Sequence, residues 1–178
     1  ERLYALYTAL RYLIARGVDG DIVECGVWRG GNCMLAGLAL QHLGDSDRRI
    51  WLYDTFSGMA EPSERDRDVY GGRALDMRGE QFTAEGRPTP FQFVASREQV
   101  AANMETTGFP AERTVYVEGR VEDTLPARRP DRLALLRIDT DWYESTAHAM
   151  RHLYPLLAPG GVLLLDDYGD WPAVREAG

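Results

Sequence analysis

Three aspartates, Asp139, Asp166 and Asp167, stand at the ends of two short apolar runs, residues 133–138 and 162–165. Each run is too short for a helix and rich in branched side chains, as buried strands are. Between them, residues 144–157 place Ala147, Met150, Tyr154 and Leu157 on one helical stripe, which Pro159-Gly160-Gly161 stops. The pattern predicts a strand, a crossover helix and a parallel strand. Parallel neighbours point their carboxyl ends the same way, so the three acids should reach the rim where open α/β sheets bind ligands. Gathered there with no lysine nearby, they repel one another, and a hard divalent cation such as Mg²⁺, Ca²⁺ or Mn²⁺ is the simplest remedy. Consecutive strand residues face opposite ways, so Asp166 and Asp167 can share an ion only where the strand ends, and Gly169 permits that turn. Asp141 reads differently: with Glu144 it forms a D-x-x-E box and predicts a helix cap.

A second constellation lies near the start of the chain, where Glu24-Cys25-Gly26-Val27-Trp28-Arg29-Gly30-Gly31 completes a short apolar strand. Glycines let the backbone approach a ligand, and the helix that follows offers unpaired N–H groups. Cys25 and Val27 break the GxGxxG spacing of dinucleotide sites, and an acid here repels a pyrophosphate. Glu24 would instead attract a cationic group such as an ammonium or a sulfonium. A plain Gly-rich turn explains the glycines equally well. Asp54-Thr55-Phe56 closes the next apolar run, about 25 residues beyond the glycines, near the spacing at which an acid accepts from both ribose hydroxyls. Asp is also a common turn or cap residue. Taken together, the two motifs predict an adenosyl ligand, and Glu24 favours a cationic one.

These sites need a scaffold, and the rest of the chain reads as one. Leu3, Leu6, Tyr7, Leu10, Leu13 and Ile14 follow helical spacing up to Gly17. Residues 32–43 and 97–107 read as further helices, and residues 114–118 as a strand ending in Glu118. Five strands alternating with helices predict a three-layer, Rossmann-like α/β domain with a mainly parallel sheet. Residues 57–90, crowded with Gly, Pro, Arg, Asp and Glu, break that rhythm and predict a lid or a mobile insertion.

With 178 residues the chain reads as a single domain, and one of that size buries roughly 70% of its unfolded surface without staples. A net charge of −8, from 28 acidic and 20 basic residues, argues against nucleic acid or an anionic membrane as partner. No apolar run approaches the roughly 20 residues of a membrane span. Cys25 and Cys33 are too widely spaced for CxxC chemistry and predict free thiols in a reducing cytoplasm. His148 and His152 fall four apart on a predicted helix but lack an HExxH context, and they read as surface residues. No GxSxG elbow, Cys–His pair or Walker lysine supports a hydrolase or a nucleoside triphosphatase. A homo-oligomer is left open.

The segments VECGVWRGG, YDTFSGM, GRVEDTLP, RIDTDWYEST and LLLDDYGDWP, in this order, resemble the macrocin O-methyltransferase family. These are S-adenosylmethionine-dependent enzymes that methylate sugar hydroxyls of macrolides, aminocoumarins and similar natural products. The resemblance implies a class I methyltransferase fold in which Glu24, Gly26 and Gly30 hold the methionine end of the cofactor, with Cys25 in the same turn. Asp54 and Thr55 would take the ribose, and Gly119, Arg120 and Val121 would border the adenine. It also implies that Asp139, Asp166 and Asp167 bind Mg²⁺ and that Asp139, beside the cofactor, doubles as general base. The family's fold continues beyond its fifth strand to a closing antiparallel pair. This chain ends before one, which together with an opening Glu1 predicts a piece of a longer protein.

On that reading, two adjacent sugar hydroxyls chelate the ion while Asp139 accepts a proton. Trp142 and Tyr143 would either flank the small-molecule acceptor or simply pack. Rival expectations are a catechol-type O-methyltransferase using the same acids on an aromatic diol, a non-catalytic module that keeps the cofactor pocket, and, disfavoured by Glu24, an NAD-dependent oxidoreductase.

Overall fold

The computed structural model describes residues 2–83, 86, 89–166, 168 and 172–177. Asp167 and Gly169, part of the sequence-based reading, lie outside these described residues. Five strands form one sheet in which all neighbours run parallel: β1 (Asp21–Cys25), β2 (Ile50–Asp54), β3 (Thr114–Glu118), β4 (Leu133–Ile138) and β5 (Leu157–Leu165), in the spatial order β3-β2-β1-β4-β5. The order reverses between β1 and β4, and crevices at such switch points bind ligands.

Side-chain alternation divides the core into two layers. Ile22, Leu52 and Leu135 pack with α1 (Arg2–Ala15), α2 (Gly31–His42) and α3 (Arg97–Glu105). Val23, Tyr53 and Leu136 pack on the other face with α4 (Val121–Thr124) and α5 (Tyr143–Leu153). The sheet is thus covered on both faces, which is why its strands read as short unbroken apolar runs. A further helix, α6 (Pro172–Ala177), contributes Val174 beside Trp142. Among the described residues no helix is long and apolar enough to cross a membrane.

Two boundaries differ from the sequence-based expectation by more than two residues. Helix α5 stops at Leu153 and passes into a single 3-10 turn, Tyr154–Leu156, instead of reaching residue 157. Pro155 explains this, since it has no N–H to continue the helix. Strand β5 then starts at Leu157 and runs through Pro159-Gly160-Gly161, where the register shifts: Leu133 pairs with Leu157, but Leu135 pairs with Val162. The Pro-Gly-Gly triplet is therefore a bulge within an edge strand, where a missing donor is tolerated.

The described residues of 57–94 contain no strand of the main sheet, but they dock. Asp66, Ala74 and Thr89 are fully buried. Ala74 packs with Trp142 and Val174, and Met59, Met77 and Phe91 surround that contact. These contacts anchor the described part of the segment to the start of α5.

Candidate active site

The strand ends fix the site. Beyond the last ladder pairs, the N–H of Gly26 donates to the Tyr53 carbonyl at 2.8 Å, that of Gly119 to Asp54 at 3.0 Å, that of Asp139 to Cys25 at 2.8 Å and that of Asp166 to Ile138 at 2.9 Å. Gly26, Asp54, Gly119, Asp139 and Asp166 are thereby carried to one rim by backbone pairing alone. Gly26 has φ +82°, and a Cβ there would lie 1.9 Å from the Asp139 carbonyl oxygen. No other residue fits so close an approach of β1 to β4.

Above this rim lies a cleft of about 430 Å³ including its open mouth, within the size range of small-molecule sites. It is lined by Gly26, by Asp54 and Thr55, by Gly119, Arg120, Val121 and Glu122, and by Asp139 and Thr140. Gly58, Met59 and Ala60 of the docked segment also line it.

Asp54 also clasps the turn after β1. Its Oδ2 accepts from the N–H of Val27 at 2.8 Å and of Trp28 at 3.1 Å, and its Oδ1 from Phe56 N–H at 2.8 Å. Trp28 and Phe56 sit at φ +46° and +52°, strained values for non-glycine residues that such contacts hold in place.

A family model described as macrocin-O-methyltransferase (TylF) matches residues 1–178. This chain belongs to that family. It is 37% identical over 168 residues to the 8-demethyl-8-(2,3-dimethoxy-alpha-L-rhamnosyl)-tetracenomycin-C 4'-O-methyltransferase of Streptomyces olivaceus, covering 94% of this chain and 60% of that protein. It is 34% identical over 177 residues to the mycinamicin III 3''-O-methyltransferase of Micromonospora griseorubida, covering 99% of this chain and 66% of the relative. The chain thus spans somewhat under two thirds of the length of these curated relatives. Among solved structures, the O-methyltransferase NovP superimposes with a TM-score of 0.79 at 32% identity, over 99% of this chain and 68% of that one. Calicheamicin methyltransferase CalS11, with a TM-score of 0.74 at 22% identity over 99% of this chain and 68% of that one, shares the fold.

Within the family's fold, the residues anticipated for the cofactor divide. Gly26, Asp54, Thr55, Gly119, Arg120, Val121 and Asp139 line the cleft. Gly30, Cys25 and Glu24 do not. Gly30 sets the start of α2 at φ +80°. The Cys25 side chain is fully buried, on the face of the sheet that packs against α4 and α5. Its thiol is raised well above its ordinary value by burial, and that of Cys33 likewise, so both stay protonated. Both are free, as anticipated.

Glu24 points to the opposite face, beneath the first turn of α2. Its Oε1 accepts from Asn32 Nδ2 at 3.0 Å and from Arg137 Nη1 at 2.5 Å, and its Oε2 from Cys33 Sγ at 2.8 Å. Burial lifts its carboxyl above the usual carboxylate range, against the pull of Arg137, Cys33 and Asn32.

Arg137 is the largest correction to the sequence-based picture. The repulsion expected among acids with no lysine nearby is relieved by an arginine: Arg137 is 5% exposed and bonds three carboxylates. Its Nη1 donates to Glu24 and, at 2.8 Å, to Asp139 Oδ2, while Nη2 donates to Asp166. Arg2, at the start of α1, meets Asp166 from outside at 2.9 Å. Burial pulls the Arg137 pKa down, but Glu24, Asp139 and Asp166 outweigh it and the net shift is upward, so the group stays charged. Among the described residues, no three His, Cys, Asp or Glu side chains are grouped to hold a metal ion. Asp139 and Asp166 nevertheless converge on one guanidinium, and their all-oxygen chemistry is of the kind hard cations take.

Two other side chains were missed or misassigned. Glu122 follows the anticipated Gly119 to Val121 segment directly; its Oε1 lies 3.3 Å from Arg120, and its Oε2 is buried with no hydrogen-bond partner. Such an orphaned acceptor in a cleft wall is a place for a ligand donor. Asp141 does not cap α5. It stands at φ +60°, and the N-terminal N–H of Tyr143 is bonded at 2.7 Å by Asp66 of the docked segment. Trp142 is 2% exposed, packs on Phe91 at 6.1 Å between ring centroids and donates from Nε1 to the Ala60 carbonyl at 2.9 Å. Its role is packing. Tyr143 lies under the guanidinium of Arg65, 4.3 Å from its ring centre.

Proposed function

We propose that this chain forms the catalytic domain of an S-adenosylmethionine-dependent O-methyltransferase whose acceptor is a sugar hydroxyl on a glycosylated natural product. The observation that carries this is the single cleft in which Asp54, the Gly119–Glu122 wall and Asp139 face one another at the switch point of a parallel sheet. One relative is named for a substrate that carries a rhamnosyl group, which supports a sugar as acceptor.

When bound, the cofactor supplies an electrophilic methyl group. Asp54 would accept from the ribose hydroxyls with the lone pairs its backbone donors leave. Gly119 and Val121 would border the adenine, and the orphaned Glu122 Oε2 would accept from its amino group. Asp139, with its side chain 24% exposed at the cleft, would take the proton of the acceptor hydroxyl as general base, its carboxylate oriented by Arg137. Asp139, Asp166 and Asp167 would hold a divalent cation, Mg²⁺ by preference, which would supply a Lewis acid for that hydroxyl.

The test is turnover. The purified chain with S-adenosylmethionine and Mg²⁺ should add one methyl group to glycosylated acceptors and leave catechols unmodified. Methylation of catechol alone would favour the aromatic-diol reading, binding without transfer to any diol would favour a non-catalytic module, and preference for NAD would overturn the proposal. Glu122 gives a narrower check. Glu122→Ala should weaken cofactor binding about tenfold in calorimetry, while Glu122→Gln, which keeps an acceptor oxygen, should weaken it less.

A further inference from the structure

Arg137 lies inside the carboxylate cluster that the proposed function assigns to a cation, and that placement has an energetic consequence. Glu24 and Arg137 are direct partners across β1 and β4, and Arg137 is opposite Leu164 on β5, so one side chain reaches acids from all three strands. Arg2 shares the task at Asp166, from 2.9 Å, and no lysine occurs anywhere in the sequence.

The geometry points to Arg137 as a built-in counter-ion: a positioning residue that holds Asp139 and Asp166 together in the cation-free protein and that a divalent cation must compete with for the same carboxylates. This rests on the reading of Asp139 and Asp166 as cation ligands. Two effects follow. The guanidinium relieves the repulsion among three carboxylates, so the domain can fold before it is loaded. It also lowers the negative charge offered to a cation and occupies oxygens the cation needs, so affinity is lower than the acids alone would give. A purely structural arginine would share the first effect and not the second.

The test is direct binding of Mn²⁺ by calorimetry, together with thermal melts in chelator and in excess Mn²⁺, on wild type, Arg137→Met and Arg137→Lys. Arg137→Met should melt lower in chelator, regain much of the loss in Mn²⁺, and bind Mn²⁺ roughly ten- to a hundredfold more tightly than wild type. Arg137→Lys, whose ammonium lacks the planar fork that spans several carboxylates, should fall between them. Unchanged or weaker Mn²⁺ binding by a folded Arg137→Met protein overturns the inference. Should that variant fail to fold in either condition, Arg137→Lys decides: tighter binding than wild type supports the counter-ion role, and equal or weaker binding overturns it. Absence of Mn²⁺ binding by wild type and variants alike is a separate outcome, which removes the cation from the proposed function and this inference with it.

Discussion

Asp139→Asn should lower kcat by roughly a hundred- to ten-thousandfold while moving cofactor affinity by no more than about twofold. Asn matches the carboxylate in shape and keeps one acceptor oxygen, but it is uncharged and is not a base, so it removes the proton acceptor and also weakens the hold on Arg137 and on a cation. Asp139 sits where β4 meets the turn of β1, held by its own N–H to Cys25 and by Arg137 at Oδ2, so the substitution should leave the cleft wall standing. The measurement is kcat at saturating cofactor and acceptor, paired with cofactor Kd by calorimetry. Retention of more than a tenth of wild-type kcat would remove Asp139 from the role of base. Asp166→Asn separates base from cation: it should also abolish turnover with cofactor affinity nearly intact, as should excess chelator. Full activity in both conditions would leave Asp139 acting without a metal.

What could be read from the sequence was what a single strand or helix encodes by itself. The strands at Ile50–Asp54 and Thr114–Glu118 appear with the expected bounds, because a strand buried on both faces must be a short apolar run whatever it pairs with. The rim followed from topology: parallel strands deliver their carboxyl ends together, which brings Asp54, Gly119 and Asp139 to one cleft.

Pairings between distant residues were not legible in this way. Arg137 was hidden inside an apolar strand, and its partner Glu24 lies 113 positions away in sequence. The signal was present in retrospect: a charged residue in each of two buried strands that the topology makes neighbours should be paired, because an unpaired buried charge is too costly. No lysine stands near these acids, and the cation that meets them is an arginine. Helix α5 shows the same limit at its end, where Pro155 outweighed an apolar stripe that continued past it.

Asp66→Ala should cost about 3 kcal/mol in urea unfolding, far more than a change at Asp141, although the sequence favours Asp141 as the cap. The Asp66 carboxylate is fully buried and has three donors: Ser63 N–H at 2.6 Å and Ser63 Oγ at 2.9 Å on one oxygen, and Tyr143 N–H at 2.7 Å on the other. Truncation would leave those donors unpaired in a dry site and remove a negative charge from the first turn of α5, where the helix dipole favours it. Asp141, at φ +60°, lies one residue before Trp142, the N-cap of α5, and Asp141→Asn keeps a residue tolerant of that conformation, so its cost should stay under about 1 kcal/mol. The difference reaches the chemistry, because the contact that Asp66 makes is four residues from Asp139 in a chain whose next residue inward, Trp142, is pinned to Ala60. Loosening residues 57–94 should therefore speed their proteolysis and lower kcat/KM for the acceptor, with the fall reversed in part by Asp66→Asn, which restores the shape and one acceptor oxygen. Equal stability losses at Asp66 and Asp141, or proteolysis unchanged in Asp66→Ala, would show that the docked segment is held by its apolar contacts around Trp142 and not by this carboxylate.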